Sequence, residues 1–415
     1  MKPRQTIVHF GDLEKISAAC ICLGFATCFT GIEGSVGGLV LRPFDFIAVI
    51  FLPILLAAQF GRETPPISSG LMLLAAFLAF HTISAFSVST ANGIREAIQS
   101  AELGLFAFVL SAYRNGIDWK RSKNFTLLII IPIVIYVIAW HLARGQYVGW
   151  KLLGNTKMIF LFLPAILMPI LIGSVHRRSY LQLFILAIIA ALVVGSGERK
   201  ALLNFVVICS AMFLLGYLDP LRMIICAVVV SFVIVVISSM NPYAAKQVTT
   251  LVSLVQDSEL PLYALMEGVT PSSLSNAQRL FAFEITEYVV KEHPAMGLGT
   301  NAYSIYINSK FPLIPKYLLV SIHNEFQRVL VENGMIGLLI YSAIWVRCAT
   351  FMLSFRYSEE RYYLLCYVAL FSSFLHYCLF EGSGNESFLV LVFVALLPDF
   401  FSIALREKRA SESRE

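Results

Sequence analysis

The sequence predicts an all-α integral membrane protein with about twelve transmembrane helices and one large, partly helical extracytoplasmic loop. The first observation is composition: 58% of the 415 residues are hydrophobic and 14% are charged, whereas soluble domains carry about 25% charged residues. A soluble core could not bury this much apolar surface without leaving large exposed patches. The bilayer is therefore the expected solvent.

The second observation is a series of apolar stretches close to the roughly 20 residues that cross a bilayer. They divide the chain into residues 1–240 with helices one to nine, a large loop at 241–334, and residues 335–415 with the last three helices and a charged tail. Because Asp12 and Glu14 interrupt the N-terminal apolar run, we expect a first membrane helix there and not a cleaved signal peptide. The stretches are 16–31, 44–60, 68–88, 93–113, 124–142, 157–174, 180–195, 201–218, 221–240, 335–353, 362–381 and 386–405.

The third observation is the distribution of lysine and arginine, which accumulate on the cytoplasmic side of membrane proteins. With the N-terminus inside, 18 of the 31 lysines and arginines fall in inner segments. Six of the other 13 lie in the long loop, where the rule has little force. This predicts that both termini are cytoplasmic and that the loop lies outside.

Several function classes are disfavoured. The net charge of +5 is modest for 415 residues, and no basic patch interleaved with aromatic residues suggests nucleic acid. The sequence has no Gly-rich phosphate loop, no zinc-spaced histidines and no nucleophile elbow. Cys20 and Cys22 are two positions apart, so on one helix their side chains diverge and do not suggest a metal site. We expect no metal and no cofactor.

Two helices are predicted within the large loop. Residues 272–293 form an amphipathic pattern with Leu280, Phe283 and Val290 on one side. A second helix is expected to begin near Ser321 and to end at the stop signal Asn333-Gly334, directly before the tenth membrane helix.

His323 is the first candidate for chemistry. We expect it in the first turn of the second loop helix, where the positive helix end disfavours a charged imidazole. A neutral imidazole can accept a proton, so His323 is a candidate general base, with Asn324 and Gln327 beside it to orient a polar substrate. The alternative is a surface or capping histidine.

The other candidates are cations on the outer side, where positive charge needs a reason. Arg199, Lys200 and Lys151 lie in predicted outer segments, and a bound anion would explain them. Guanidinium groups bind phosphate oxygens through bidentate hydrogen bonds, which makes Arg199 and Arg279 candidates for binding a phosphate group. The alternatives are a snorkelling arginine, a solvated helix face and tolerated loop charges.

Ionisable residues also occur within the predicted spans. Arg95, Gln99 and Glu102 share one helix face, and His81, His141 and His376 lie in other spans. Such groups face a cavity or the protein interior. Both a functional role and structural pairing with one another are open.

Together these segments resemble the O-antigen ligase and polymerase superfamily of bacterial envelope glycosyltransferases. The resemblance is carried by the run from His323 through Glu332-Asn-Gly-Met-Ile-Gly337, by Arg279 to Tyr303, and by Gly195 to Leu203. It spans roughly residues 190–345 together with the hydropathy profile of the whole chain.

The resemblance implies a GT-C-like fold and a metal-independent, inverting transfer from an undecaprenyl-diphosphate-linked glycan in the bacterial inner membrane. Arg199 and Arg279 would hold the diphosphate and stabilise the leaving group, and His323 would activate the acceptor hydroxyl. Lys200, Asn324, Gln327, Arg328 and Lys151 would bind substrate. The implied partners are membrane lipids, a glycan or lipid A-core acceptor, a flippase and a chain-length regulator.

The sequence leaves four candidate functions. A surface-polysaccharide polymerase is preferred over a ligase that moves finished glycan to lipid A-core. A transporter of lipid-linked sugars would show inverted repeats and broken helices meeting at the midplane, and the sequence suggests neither. If the protein were a non-catalytic envelope scaffold, neither Arg199→Ala nor His323→Ala would alter the surface glycan.

Overall fold

The fold was analysed in a computed structural model, which describes residues 34–36, 39–41, 53, 67–112, 160–165, 167, 179–195, 199–240, 274–312, 322–357, 359–380 and 386–413. Two short strands and ten α-helices lie within these ranges. They are β1 (Gly34–Val36), β2 (Leu39–Leu41), α1 (Ser69–Val88), α2 (Thr90–Ala112), α3 (Ser179–Gly195), α4 (Arg199–Leu214), α5 (Pro220–Met240), α6 (Leu274–Glu292), α7 (Tyr303–Lys310), α8 (Glu325–Phe351), α9 (Arg361–Phe380) and α10 (Glu386–Glu412).

The predicted membrane-helical character is confirmed at the level of helices. Four segments in the described part of the chain are long and apolar enough to cross a bilayer, at Ser69–Val88, Glu325–Ser354, Arg361–Phe380 and Phe388–Ala410. Helices α3, α4 and α5 contain shorter apolar stretches. The predicted spans at 16–31 and 124–142, and that at 44–60 except for residue 53, lie outside the described residues, so the total of twelve stays a prediction.

The antiparallel hairpin of β1 and β2 is an element that the sequence analysis did not predict. It pairs Gly34 with Leu41 and Val36 with Leu39, in the segment between the first two predicted spans. Gly37 and Gly38 separate the strands in sequence, a pair of residues that favours tight hairpin connections.

Helices α1 and α8 run in opposite directions and pack against each other. At one end the Arg347 guanidinium donates to Ser69 Oγ at 2.8 Å and pairs with Asp399 of α10 at 2.6 Å. Further along, the rings of Phe77 and Tyr341 pack with centroids 5.4 Å apart. At the other end, Ser84 Oγ donates to the Glu332 carbonyl. We call this second end, marked by Val88 and Gly334, the outer end.

Helix α8 is broken at Gly334 and folds back on itself. The ring of Phe326 lies 5.1 Å from the ring of Tyr341 and 5.7 Å from that of Trp345. In a straight helix at 1.5 Å per residue, residues 326 and 345 would be about 28 Å apart along the axis. The contacts therefore require a sharp reversal, and Gly334 supplies it with φ 64° and ψ −166°. Residues 325–333 return into the bundle alongside residues 335–345.

A turn at residues 293–302 satisfies the backbone groups that this break leaves without helical partners. The amide of Leu298 donates to Val331 O and the amide of Gly299 to Glu332 O, each at 2.9 Å. On the other side of the break, Met335 N donates to Pro294 O at 2.9 Å and Ile336 N to Ala295 O at 3.3 Å. Inside a membrane protein, where water cannot substitute, such pairing is what makes a broken helix tolerable.

Glycines are required at this contact because two backbones touch. Gly334 adopts a backbone conformation that is essentially restricted to glycine, and a Cβ there would lie 2.3 Å from Ala295 O. A Cβ on Gly297, also at positive φ, would lie 2.6 Å from Gly334 N. The two glycine motifs that carry the sequence resemblance thus bind each other.

Helices α6 and α7 of the large loop share a small core of their own, which includes Phe281, Ile285, Val289 and Ile307. The sequence correctly predicted a helix close to 272–293, but its predicted apolar side was wrong. Phe283 is 72% exposed. The buried face is the one that meets α7 and the start of α8. A local hydrophobic pattern does not reveal these long-range contacts.

We predict that Gly334→Ala destabilises the protein strongly. The substitution forces a strained backbone conformation, which costs about 1–3 kcal/mol, and adds a clash with Ala295. The thermal unfolding midpoint of the detergent-solubilised protein should fall well below the wild-type value.

Gly104→Ala is the matched control. A Cβ there meets only Leu78 Cδ1, at 4.0 Å, and alanine favours the helix over glycine, so the midpoint should stay or rise. If Gly334→Ala were as stable as Gly104→Ala, the described reversal of α8 would be wrong.

Candidate functional site

The predicted general base lies at the inward-folded start of α8. The helix begins at Glu325 with Asn324 as N-cap, so His323 precedes the cap, and the prediction of a start near Ser321 was wrong. The reason is that the Asn324 side chain accepts the amide of Gln327 at 3.1 Å, which defines the first turn. His323 is half-buried and lies outside the first turn, where the influence of the helix dipole is weaker, so its predicted neutral state stays a prediction.

Asn324 and Gln327, predicted to bind substrate, each have a structural task. Asn324 caps α8 through its side-chain oxygen. The Gln327 amide nitrogen donates to Ala282 O at 2.8 Å and to Thr286 Oγ1 at 2.6 Å. Gln327 therefore fixes the start of α8 to α6, and a contact with substrate stays a prediction for both residues.

Arg279 lies on the face of α6 that meets the start of α8. Residues 279, 282 and 286 are three and seven positions apart, so they share one side of the helix. Gln327 contacts that side, and Val331 meets Leu298 beyond the end of α6, so α6 and the start of α8 run in the same direction. That Arg279 and His323 act on one substrate stays a prediction. The Arg279 side chain is half-buried.

Arg328 is paired inside the protein. Its guanidinium holds Glu325 with both prongs, at 3.0 Å and 2.5 Å, and lies 5.1 Å from the centre of the Phe388 ring. Glu325 is fully buried and Arg328 nearly so. This ion pair stabilises the first turn of α8, directly after His323. Arg328 therefore has a structural role, and its contact with substrate stays a prediction.

A second buried polar cluster joins the turn at 293–302 to helices α1 and α2. Glu96 Oε1 accepts from Asn301 Nδ2 at 2.7 Å, and Glu96 Oε2 lies 3.4 Å from His81 Nε2. The geometry of this second contact is not that of a hydrogen bond. Asn333 Nδ2 donates to Thr300 Oγ1 at 3.3 Å. These residues tie the loop to the bundle at the outer end.

Sequence reasoning named His81 but missed its partners in this cluster. It singled out Arg95, Gln99 and Glu102 on α2, whereas Glu96 is the residue that is 2% exposed. Glu332 is also buried, accepts the Asn301 backbone amide, and lies within electrostatic range of Arg328 and His81. Glu96 and Asn301 are 205 positions apart in sequence, so no local pattern could have indicated their contact.

Arg199 and Lys200 begin helix α4, as predicted for the start of the eighth span. Lys200 is 6% exposed, so it is not a loop charge tolerated in solvent. Four residues later Asn204, fully buried, donates to Ser373 Oγ at 2.9 Å and accepts from Ser372 Oγ at 2.6 Å. Helix α4 is thus fixed against α9. Lys151 lies outside the described residues.

Helix α9 stands between the two groups of predicted residues. One face carries Ser372 and Ser373, which meet α4. Another carries Cys378, which accepts from Tyr341 Oη at 3.5 Å and has Glu325 and Arg328 within electrostatic range. The structure thus brings His323, Asn324, Gln327 and Arg328 together beside α6, with Lys200 on the far side of α9.

A hydrogen bond between Tyr306 and Glu292 joins α7 to the end of α6. The Tyr306 hydroxyl donates to the Glu292 carboxylate, and this hydrogen bond is the main reason that the pKa of Glu292 lies below its usual value. Burial raises the pKa of the Tyr303 phenol above its ordinary value.

Within the ranges that the structure describes, no three His, Cys, Asp or Glu side chains cluster in a way that could hold a metal ion.

Comparison with known protein families gives a match within the chain. Residues 182–342 match a family described as O-antigen ligase. The matched segment runs from α3 through the break in α8, and it contains Arg199, Lys200, Arg279 and His323. No curated protein matches the chain.

We predict that Arg328→Met destabilises the protein by about 3–5 kcal/mol, because it leaves the Glu325 carboxylate buried without a counter-charge. The double variant Glu325→Gln/Arg328→Met removes both charges and should recover much of the loss. The measurement is the thermal unfolding midpoint of each variant in detergent.

The control pair is Arg356 and Glu359, whose side chains are 60% and 50% exposed. Removing either charge there should change stability by less than about 1 kcal/mol. Equal effects of Arg328→Met and Arg356→Met would contradict the buried-pair interpretation.

Proposed function

Residues 182–342 match the O-antigen ligase family, which confirms the resemblance to the O-antigen ligase and polymerase superfamily, and on this premise we propose that the protein is a membrane glycosyltransferase that polymerises a bacterial surface polysaccharide. It transfers a glycan from undecaprenyl diphosphate to a sugar hydroxyl of the acceptor. The transfer is inverting and uses no metal.

The observation that carries the proposal is the return of residues 325–333 into the bundle. Without it, His323 would lie in a loop outside the membrane helices. With it, the segment that begins at His323 packs beside Tyr341 and Trp345, and its neighbour Glu325 is within electrostatic range of Cys378 on α9. A base at this position can reach a lipid carrier whose diphosphate sits at the membrane boundary.

The chemistry assigns different tasks to the two kinds of residue. A sugar hydroxyl is a poor nucleophile, and His323 would accept its proton as the bond to the donor sugar forms. The leaving lipid diphosphate gathers negative charge, which Arg279 would stabilise from the side of His323, and Arg199, with Lys200 beside it, from the other side of α9. Lys151 would contribute a further cation from the predicted outer segment.

Three other predicted residues are better described by their positions. Asn324 caps α8, Gln327 fixes it to α6, and Arg328 neutralises Glu325. We propose that they hold His323 in place, because an active site needs support that fixes the reacting groups to within about 0.5 Å.

A ligase is the second candidate, since the matching family is itself described as O-antigen ligase. The ligase would use the same donor and the same residues, with lipid A-core in place of a growing glycan as acceptor. A transporter would require broken helices that meet in the middle of the bundle. The break at Gly334 lies instead next to the last turns of α1, where Ser84 and Gly299 meet it.

The proposed setting is the bacterial inner membrane, with both termini cytoplasmic and the loop at 241–334 periplasmic. A GT-C-like arrangement of about twelve helices would enclose the lipid-linked donor. A flippase would supply this donor, and a chain-length regulator would act on the polymer.

We predict that His323→Ala and Arg279→Ala reproduce the glycan phenotype of a deletion strain while the protein still inserts into the membrane. For a polymerase, single repeat units should remain on the acceptor. For a ligase, long chains should accumulate on undecaprenyl diphosphate. The measurement is gel and mass-spectrometric analysis of surface and lipid-linked glycan.

His293→Ala and Lys291→Ala are matched controls on the same loop, since both side chains are exposed, at 47% and 72%. Each should leave the glycan unchanged. Normal glycan of every kind in the deletion strain would refute both candidates, as would translocation of lipid-linked sugar in proteoliposomes that survives His323→Ala.

A further inference from the structure

The seam between α4 and α9 is polar although both helices are apolar elsewhere. Asn204, Ser372 and Ser373 are buried there and bond one another, and Asn204 Nδ2 also donates to Leu161 O at 2.8 Å. Every one of these bonds has its partner within the protein, so this part of the seam is a structural lock. The lock fixes the relative height of the two helices.

This lock places His376 at the same height as Lys200. Helices α4 and α9 run in opposite directions: Asn204 near the start of α4 meets Ser372 and Ser373 in the second half of α9, and Arg361 at the start of α9 lies over the ring of Tyr217 after the end of α4. Helix α9 therefore ends, and α4 starts, toward the outer end. Lys200 precedes Asn204 by four residues, and His376 follows Ser372 by four residues. Both therefore lie about 6 Å, one helical turn, further toward the outer end than the lock. Ser372 and His376 share one helix face, the face that meets α4.

The hydrogen bonds of His376 determine which ring nitrogen carries the proton. Nδ1 lies 2.8 Å from the Ser372 carbonyl oxygen, which can only accept. Nδ1 therefore carries hydrogen, and in the neutral ring Nε2 is left with a lone pair. The ring is half-buried and rests against Phe380, with centroids 6.1 Å apart. Among the described residues, none hydrogen-bonds Nε2.

A neutral imidazole in this state selects its ligand. Phosphate and carboxylate oxygens are acceptors and cannot bind Nε2, whereas a hydroxyl or an amide N–H can. The proposed diphosphate site at Arg199 and Lys200 lies at the same height. The nearest hydroxyl and amide donors of a lipid-linked glycan are those of the sugar bonded to the diphosphate.

We propose that His376 is a specificity-determining residue that accepts, at Nε2, a hydrogen bond from a hydroxyl or amide group of the first sugar of the lipid-linked donor. The inference rests on the proposed function and names a substrate contact on α9, outside the residues that the sequence analysis assigned to the site. It gives the polar lock of the seam a purpose, which is to set His376 and Lys200 at one level.

The test uses the full-length protein in detergent or nanodiscs with undecaprenyl-diphosphate-linked donors. One donor is unmodified, and each of the others lacks one hydroxyl or amide group of the first sugar. The variant His376→Phe keeps an aromatic ring beside Phe380 and removes Nε2. The control Ser372→Ala removes one hydrogen bond of the same seam, but the bonds of Asn204 to Ser373 and Leu161 and of His376 Nδ1 to the backbone carbonyl of residue 372 remain and keep Nε2 in place. The measured quantity is kcat/KM for glycan transfer.

For one modified donor, wild-type kcat/KM should fall about tenfold or more, the usual effect of one lost hydrogen bond. His376→Phe should lose a similar factor with the unmodified donor and should lose nothing further with that modified donor. Ser372→Ala should lower kcat/KM for all donors by the same factor and keep the wild-type discrimination.

If losses from His376→Phe multiplied with those of every modified donor, His376 would have only a structural role and the inference would be overturned. The proposed function is judged separately by wild-type transfer from the unmodified donor. Absence of that transfer would overturn the proposed function and this inference together, whereas transfer with multiplying losses would overturn this inference alone.

Discussion

The backbone contact between the turn at 293–302 and the break at Gly334 is the interaction on which the rest of the structure depends. A helix that breaks inside a membrane protein exposes carbonyl and amide groups that must find partners. Here both sides of the break are satisfied by one turn, and only glycine permits the approach at Gly297 and Gly334. The chain can then reverse, which takes residues 325–333 back into the bundle.

The buried charges follow from this reversal. Glu325 and Arg328 enter the interior as a two-pronged pair, while Glu96 binds the turn through Asn301. Such groups are costly to bury unless they are paired and hydrogen-bonded. Their arrangement therefore favours a single position of the loop on the bundle. An active centre that combines loop and membrane residues needs such a fixed position, since small displacements of reacting groups cost large factors in rate.

Hydropathy and local signals were enough to predict most of the described helices, the start of α4 at Arg199 and the stop at Asn333-Gly334. They could not show that the chain reverses at Gly334, because the direction of the break is set by its contact with a turn that begins about 40 residues earlier. For the same reason Phe283 was assigned to the wrong face of α6, and Glu96 was overlooked beside Arg95. Gly297 and Gly334 lie in two of the segments that suggested the family, and in the structure these two glycines contact each other.

The distance between residues 326 and 345 tests this account most directly. Nitroxide labels at these two positions, in a variant without native cysteines, would be measured by electron paramagnetic resonance in nanodiscs. The reversal at Gly334 predicts strong dipolar broadening, because the native rings lie 5.7 Å apart. A separation near the value for a straight helix, about 28 Å, would contradict the account, since His323 would then lie away from the membrane helices.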